Sequence, residues 1–139
     1  MMKKNRILFT LISLFLTSAA FASNPELQGY CPVSYTSINQ AVKGDSEWTH
    51  IHKGKAYYLA DQKSHDAFVA NPEQYLPKYG GYCAYGMSFG QKFPGDPKYY
   101  TVVDGKLYFN GYKQAHDSFN ENRTVLIQKA DQNWSRLSR

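Results

Sequence analysis

Residues 40–78 align with residues 91–129 at a constant offset of 51, with ten identities over 39 positions and no gap. The matches pair Gln40 with Gln91, Gly44-Asp45 with Gly95-Asp96, Gly54-Lys55 with Gly105-Lys106, Tyr57 with Tyr108, His65-Asp66 with His116-Asp117, Phe68 with Phe119, and Lys78 with Lys129. Upstream, Gly29-Tyr30-Cys31 matches Gly81-Tyr82-Cys83 at offset 52, so one residue has been gained or lost between the cysteine and the glutamine. A self-similar period of this length marks one supersecondary unit used twice, and such a unit is too small to bury its own apolar face. The chain therefore reads as a single domain over residues 23–139, made of two repeats at about 29–78 and 81–134 that join around Pro77 to Gly81.

Both repeats carry the same local signals. Trp48–His52 and Lys55–Leu59 are rich in β-branched and aromatic residues and flank Lys53-Gly54; Tyr99–Val103 and Lys106–Asn110 flank Asp104-Gly105. Lys53-Gly54 has the spacing of a tight hairpin, and Asp104-Gly105 is a pairing favoured in type I′ turns, whose central residues both need positive φ. The turn at Lys53-Gly54 predicts His52 opposite Lys55, His50 opposite Tyr57 and Trp48 opposite Leu59. A helix over Gln62–Ala70 comes next, with Asp61 as its cap, then a short turn or helix from Pro72. The second repeat predicts helices over Lys113–Phe119 and Arg123–Leu137, the latter with Leu126, Ile127, Ala130, Trp134 and Leu137 spaced for one face. The expected class is α+β, as two tandem ββα modules packed about a pseudo-twofold axis.

Residues 1–22 have the three parts of a cleavable export signal. These are cations at Lys3, Lys4 and Arg6, an apolar run from Ile7 to Leu16, and small residues at Ala20 and Ala22. Ser13, Thr17 and Ser18 interrupt a run already shorter than a membrane-spanning helix needs. Cleavage after Ala22 predicts a soluble periplasmic protein, and removing the three cations lowers the formal net charge from +5 to +2. The remaining Lys and Arg are scattered among acids, which argues against a nucleic-acid partner. No second long apolar stretch is present, which argues against stable membrane insertion once the signal is gone.

Strand alternation puts Trp48, His50 and His52 on one face, so two imidazoles share a surface. Neutral imidazole suits copper or zinc, and Cys83 and Met87 add soft donors within the run Tyr79–Met87. His50, His52, Cys83 and Met87 are thus the candidate metal ligands; an internal His–Tyr hydrogen bond and a core-filling linker are the plain alternatives. Cys31 and Cys83, the two cysteines, occupy corresponding positions. In an oxidising compartment they can form a disulfide, stay as buried thiols, or ligate a metal. The repeated His65-Asp66 and His116-Asp117 read as helix-end pairs. Neighbouring helix residues point about 100° apart and bring no nucleophile with them.

The runs Gly29-Tyr30-Cys31-Pro32-Val33-Ser34-Tyr35, Gly54-Lys55-Ala56-Tyr57-Tyr58, Phe68, Asn71-Pro72-Glu73 and Tyr75-Leu76 resemble a YHS domain in order and spacing. With Tyr79–Met87, Gly95-Asp96-Pro97, Val103–Tyr108 and Lys129–Trp134, residues 23–139 are similar to the exported bacterial YHS-domain proteins. The association of related modules with copper-transporting ATPases implies metal traffic. Where the metal-associated modules carry cysteines, this sequence has Ser34, Ala60 and Ser64, so that thiolate set does not transfer. Exported relatives usually have Asp where Cys31 stands here.

The expectation is a small periplasmic binding protein that handles copper or zinc. Its rival is a non-catalytic interaction module whose exposed tyrosines meet a periplasmic protein partner. No convergent Ser/His/Asp set, phosphate loop or carboxylate pair supports an enzyme.

Overall fold

The computed structural model describes residues 24–139, and the expected signal at 1–22 lies outside them. The first module runs through a 3₁₀ turn (Glu26–Gly29), α1 (Pro32–Ile38), β1 (Asp45–His52), β2 (Lys55–Leu59), α2 (Gln62–Ala70) and α3 (Pro72–Tyr75). The second repeats that order as a 3₁₀ turn (Lys78–Gly81), α4 (Ala84–Ser88), β3 (Asp96–Val103), β4 (Lys106–Asn110), α5 (Lys113–Glu121) and α6 (Arg123–Leu137). The class is α+β, with two separate antiparallel hairpins each followed by helices. No helix among the described residues is long and apolar enough to cross a membrane.

The hairpin turns form as the sequence requires: φ is +49° and +76° at Lys53-Gly54, and +52° and +72° at Asp104-Gly105. His52 faces Lys55 and His50 faces Tyr57, but Leu59 pairs with Asp45 rather than with Trp48. The second hairpin has the same irregularity, with Asn110 opposite Asp96. Extra residues on the longer strand bulge out between the last two pairs, so each strand starts three residues earlier than its aromatic run suggests.

The bulge brings the first residues of the strand back against the start of the module. Gly44 N donates to Gly29 O at 2.8 Å, and Cys31 N donates to Val42 O at 2.8 Å; Cys83 N repeats the latter with Phe93 O. A Cβ on Gly44 would lie 2.3 Å from the Tyr58 carbonyl oxygen, and one on Gly95 would lie 2.1 Å from that of Gly81. Close backbone approach is therefore the physical reason both repeats keep glycine here.

Helix α2 is held at its start by a capping box. Asp61 accepts from Ser64 N at 2.8 Å, and Ser64 Oγ in turn accepts from Asp61 N. That hydrogen bonding holds the Asp61 carboxyl below its ordinary range. α1 and α4 are seven and five residues long, too short for a periodic signal, and sequence reasoning left them unassigned.

Each module has its own core. Cys31, Val33, Tyr57, Leu59 and Phe68 fill the first; Tyr79, Ala84, Met87, Tyr108, Phe119, Leu126 and Ala130 fill the second. A third cluster joins them, because Tyr35 of α1 enters the second hairpin against Leu107 and Phe109. Its ring meets Tyr100 edge-on at 4.9 Å and Phe109 at 5.5 Å, and its hydroxyl donates to Pro97 O at 2.9 Å. Tyr100 returns the contact by donating to Asn39 O at 2.7 Å. These crossed hydrogen bonds tie each tyrosine to the backbone of the other module.

Candidate functional site

The modules differ most in the segments C-terminal to α2 and α5. In the first, Pro77 forces Leu76 into extended backbone, so α3 stops after four residues. In the second, the corresponding segment continues as the 15-residue α6. Leu126, Ala130 and Ile127 of α6 pack in the cluster that holds Tyr108, and Tyr79 donates to Asp131 at 2.8 Å. Among the described residues no equivalent helix extends over Tyr57, the counterpart of Tyr108. A cleft of about 490 Å³ opens there, lined by Glu26, Leu27, His52, Lys53, Lys55, Tyr57, Glu73, Leu76, Pro77 and Lys78, and by Tyr79, Gly80 and Trp134 across the module boundary.

The charges in this cleft are mostly paired. Glu73 lies 2.8 Å from both Lys53 Nζ and His52 Nε2, and these contacts, that of Lys53 first, hold its carboxyl below its ordinary range. Glu26 lies 3.6 Å from Lys55. Lys78 has no carboxylate within ion-pair distance among the described residues; its ammonium sits 5.9 Å from the Tyr79 ring. Tyr57 is 6% exposed, yet its hydroxyl has no hydrogen-bond partner among the described residues and is not sealed from solvent. Burial, with Glu26 and Glu73 adding to it, pushes this hydroxyl up to about 12, so it remains a proton donor.

Beside the cleft, two imidazoles stand edge-on to the Phe68 ring and a third stands against one of them. His50 lies 5.8 Å and His52 6.4 Å from the Phe68 centroid, and His65 of α2 lies 6.0 Å from His50. Trp48 closes the group at 6.0 Å from His65, in keeping with Trp48, His50 and His52 sharing a face. In the second module Thr101 and Val103 stand where His50 and His52 stand in the first. There Thr101 donates to Asn120 at 3.0 Å, and His116 Nε2 donates to Tyr100 O at 2.9 Å. Of the repeated histidines, His116 is thus fixed by the sheet and His65 by neighbouring rings.

His50 is held below its ordinary pKa by burial, and then by His65 and His52. A depressed imidazole is neutral in the fold, so its contribution to stability is present above about pH 6.5 and is lost as pH falls through its lower folded value. Asp66, beside His65, and Glu73, beside His52, also face this cluster. We expect the urea midpoint to decline as pH falls below about 6.5, and His50→Gln to flatten that decline; parallel curves would contradict the assignment.

The four expected metal ligands are not brought together. His50 and His52 sit by Phe68, while Met87 is buried in the second core, four residues after its cysteine as Tyr35 is after Cys31. Cys83 caps α4: its sulfur accepts from Gly86 N and lies 3.6 Å from Asn110 Oδ1. Among the described residues no three His, Cys, Asp or Glu are grouped to hold a metal. Of the states open to the two cysteines, Cys31 and Cys83 take that of free, buried thiols and are not joined to each other. Cys31 packs with Leu59 in its own module, and Cys83 faces Asn110, the counterpart of Leu59. The thiolate set of the metal-associated modules does not fit either. Ser34 Oγ donates to Cys31 O and Ser64 belongs to the capping box, so both hydroxyls serve the backbone.

Of the twelve tyrosines four are buried, seven are half-buried and Tyr112 is exposed. Tyr35, Tyr57, Tyr79 and Tyr108 are buried, and the exposed aromatics are Phe89, Phe93 and Tyr112, which gather around a shallow hollow over Cys83. Sequence reasoning missed Tyr57, Lys78 and Trp134 as a group. Their joint signal was the contrast between Pro77 in one repeat and the unbroken pattern through Trp134 in the other. The chain matches no family model, no curated protein and no solved structure.

Proposed function

We propose that this chain is a small, non-catalytic binding protein of the exported YHS type that takes its ligand in the cleft beside Tyr57. The observation that carries the reading is the Tyr57 hydroxyl, placed in a cleft between modules without a hydrogen-bond partner among the described residues. Buried polar groups are normally hydrogen-bonded, and one left open to a cleft is a binding contact in waiting. A fragment library read by thermal shift tests it. Ligand at about 100 times its Kd stabilises by about 2.7 kcal/mol, a shift easily resolved for a chain of this size. The stabilising fragments should lose most of their effect on a Tyr57→Phe, Lys78→Gln variant; undiminished shifts would overturn the reading. Export predicts an intact mass beginning at Ser23 in a periplasmic extract, and a mass retaining residues 1–22 would contradict it.

The metal reading survives on narrower ground. The His50 and His65 rings meet edge-on at 6.0 Å in one module only, and burial with the neighbouring imidazoles lowers the His50 pKa, which favours the neutral form that ligates. On this reading Zn(II) or Cu(II) binding is lost in His50→Ala and His65→Ala. It is unchanged in Cys83→Ser, Met87→Leu and His116→Ala. Isothermal titration of these variants checks it, and binding lost with Cys83 instead would reject the imidazole pair.

A further inference from the structure

We propose that the cleft beside Tyr57 selects a small aromatic monocarboxylate. The inference rests on the cleft being a binding site and names the class of ligand it would take. Charge points to a single anion. The cleft is lined by three lysines and two glutamates. Counting its lysines against its glutamates, the cleft therefore has one positive charge in excess. Lys53 and Lys55 are already committed to Glu73 and Glu26, which leaves the surplus on Lys78. One ammonium left without a carboxylate among the described residues matches a monoanion. A dianion such as a phosphate monoester would remain half unpaired in a partly desolvated site, and a cation would meet carboxylates that are already neutralised.

Shape and donor chemistry point to a flat ring bearing a carboxylate. Trp134 forms one wall and closes over Gly80 with its benzo edge: a Cβ there would sit 3.5 Å from the Trp134 ring. Leu27, Leu76 and Pro77 supply further apolar lining. A flat ring on this wall buries apolar area without ordering a flexible chain, and aromatic pairs gain about 0.5–1.5 kcal/mol beyond that area. The Tyr57 hydroxyl, kept protonated between Glu26 and Glu73, can only donate to an anion, and a carboxylate oxygen is an acceptor. A cleft of about 490 Å³ is within the range that holds small molecules.

Calorimetric titration of the purified protein with benzoate, benzamide and acetate tests the assignment. These probes hold ring and charge together, keep the ring without the charge, and keep the charge without the ring. Benzoate should bind at least about tenfold more tightly than either of the others. Lys78→Gln should weaken benzoate about tenfold and leave benzamide unchanged, while Tyr57→Phe should weaken benzoate with the fold intact by circular dichroism. Added salt should weaken benzoate but not benzamide. Benzamide binding as well as benzoate, or benzoate affinity surviving Lys78→Gln, overturns the monoanion. Acetate binding as well as benzoate overturns the aromatic ring. If none of the three binds while other fragments do seat in the cleft, the ligand class fails and the binding reading stands. If no fragment of any kind reaches the cleft, both fail.

Discussion

Phe119→Ala is expected to cost about 3–5 kcal/mol of folding stability, the range for removing a fully buried aromatic ring. Phe119 is 0% exposed and packs at 5.7 Å from Tyr108 in the second core, under α6. Its loss leaves a cavity bounded by Met87, Leu126 and Ala130, which α6 cannot fill without losing its own contacts. Against a total stability of about 5–15 kcal/mol this is a large fraction, and urea unfolding measures it directly. Phe119→Leu should recover much of the loss because it restores volume. A cost below about 1 kcal/mol for Phe119→Ala would mean the second core is not packed as described.

Gly95→Ala is expected to cost at least about 3 kcal/mol, at or beyond the top of the usual overpacking range. The new Cβ would meet the Gly81 carbonyl oxygen at 2.1 Å and the Phe109 Cβ at 2.8 Å. The oxygen belongs to backbone, so no side chain can rotate away. The start of the strand must move and the bridge between Tyr82 and Pro94 must open. Gly105→Ala is the control. Nothing lies within 4 Å of its added Cβ, and its cost comes only from holding φ at +72°, about 1–2 kcal/mol. Equal losses in the two variants, measured by urea midpoint, would contradict the close approach at Gly95.

Local chemistry accounts for the features that were legible in the sequence. Asp104-Gly105 was readable as a turn because positive φ at two consecutive positions has few residue solutions, and Lys53-Gly54 because two residues separate two strand-like runs. Asp61 was readable as a cap because its partner lies three residues away. The bulge ahead of Thr49 was not readable, since it exists to bring Gly44 against the backbone at Gly29 and Tyr58, a contact set by tertiary packing. The same limit explains the metal reading. His50 and His52 do share a face, but Met87 stands at the same spacing from its cysteine as Tyr35 and is drawn into a core, away from both. The cleft needed Tyr57 from a strand, Lys78 from a turn and Trp134 from the last helix, and no spacing rule links those three. The clue lay in how the copies differ, because Pro77 stops one helix where its counterpart runs on.

The first module stays open where α6 covers the second, and on the proposed reading this opening binds the ligand. Chemical-shift mapping of the ¹⁵N-labelled protein with a soluble fragment mixture locates the binding face residue by residue. The expected outcome is saturable shifts confined to Lys53, Lys55, Tyr57, Lys78, Gly80 and the Trp134 indole, with the covered surface around Tyr108 silent. Shifts centred on Phe89, Phe93 and Tyr112 would refute the cleft and move the binding face to the aromatic surface over Cys83.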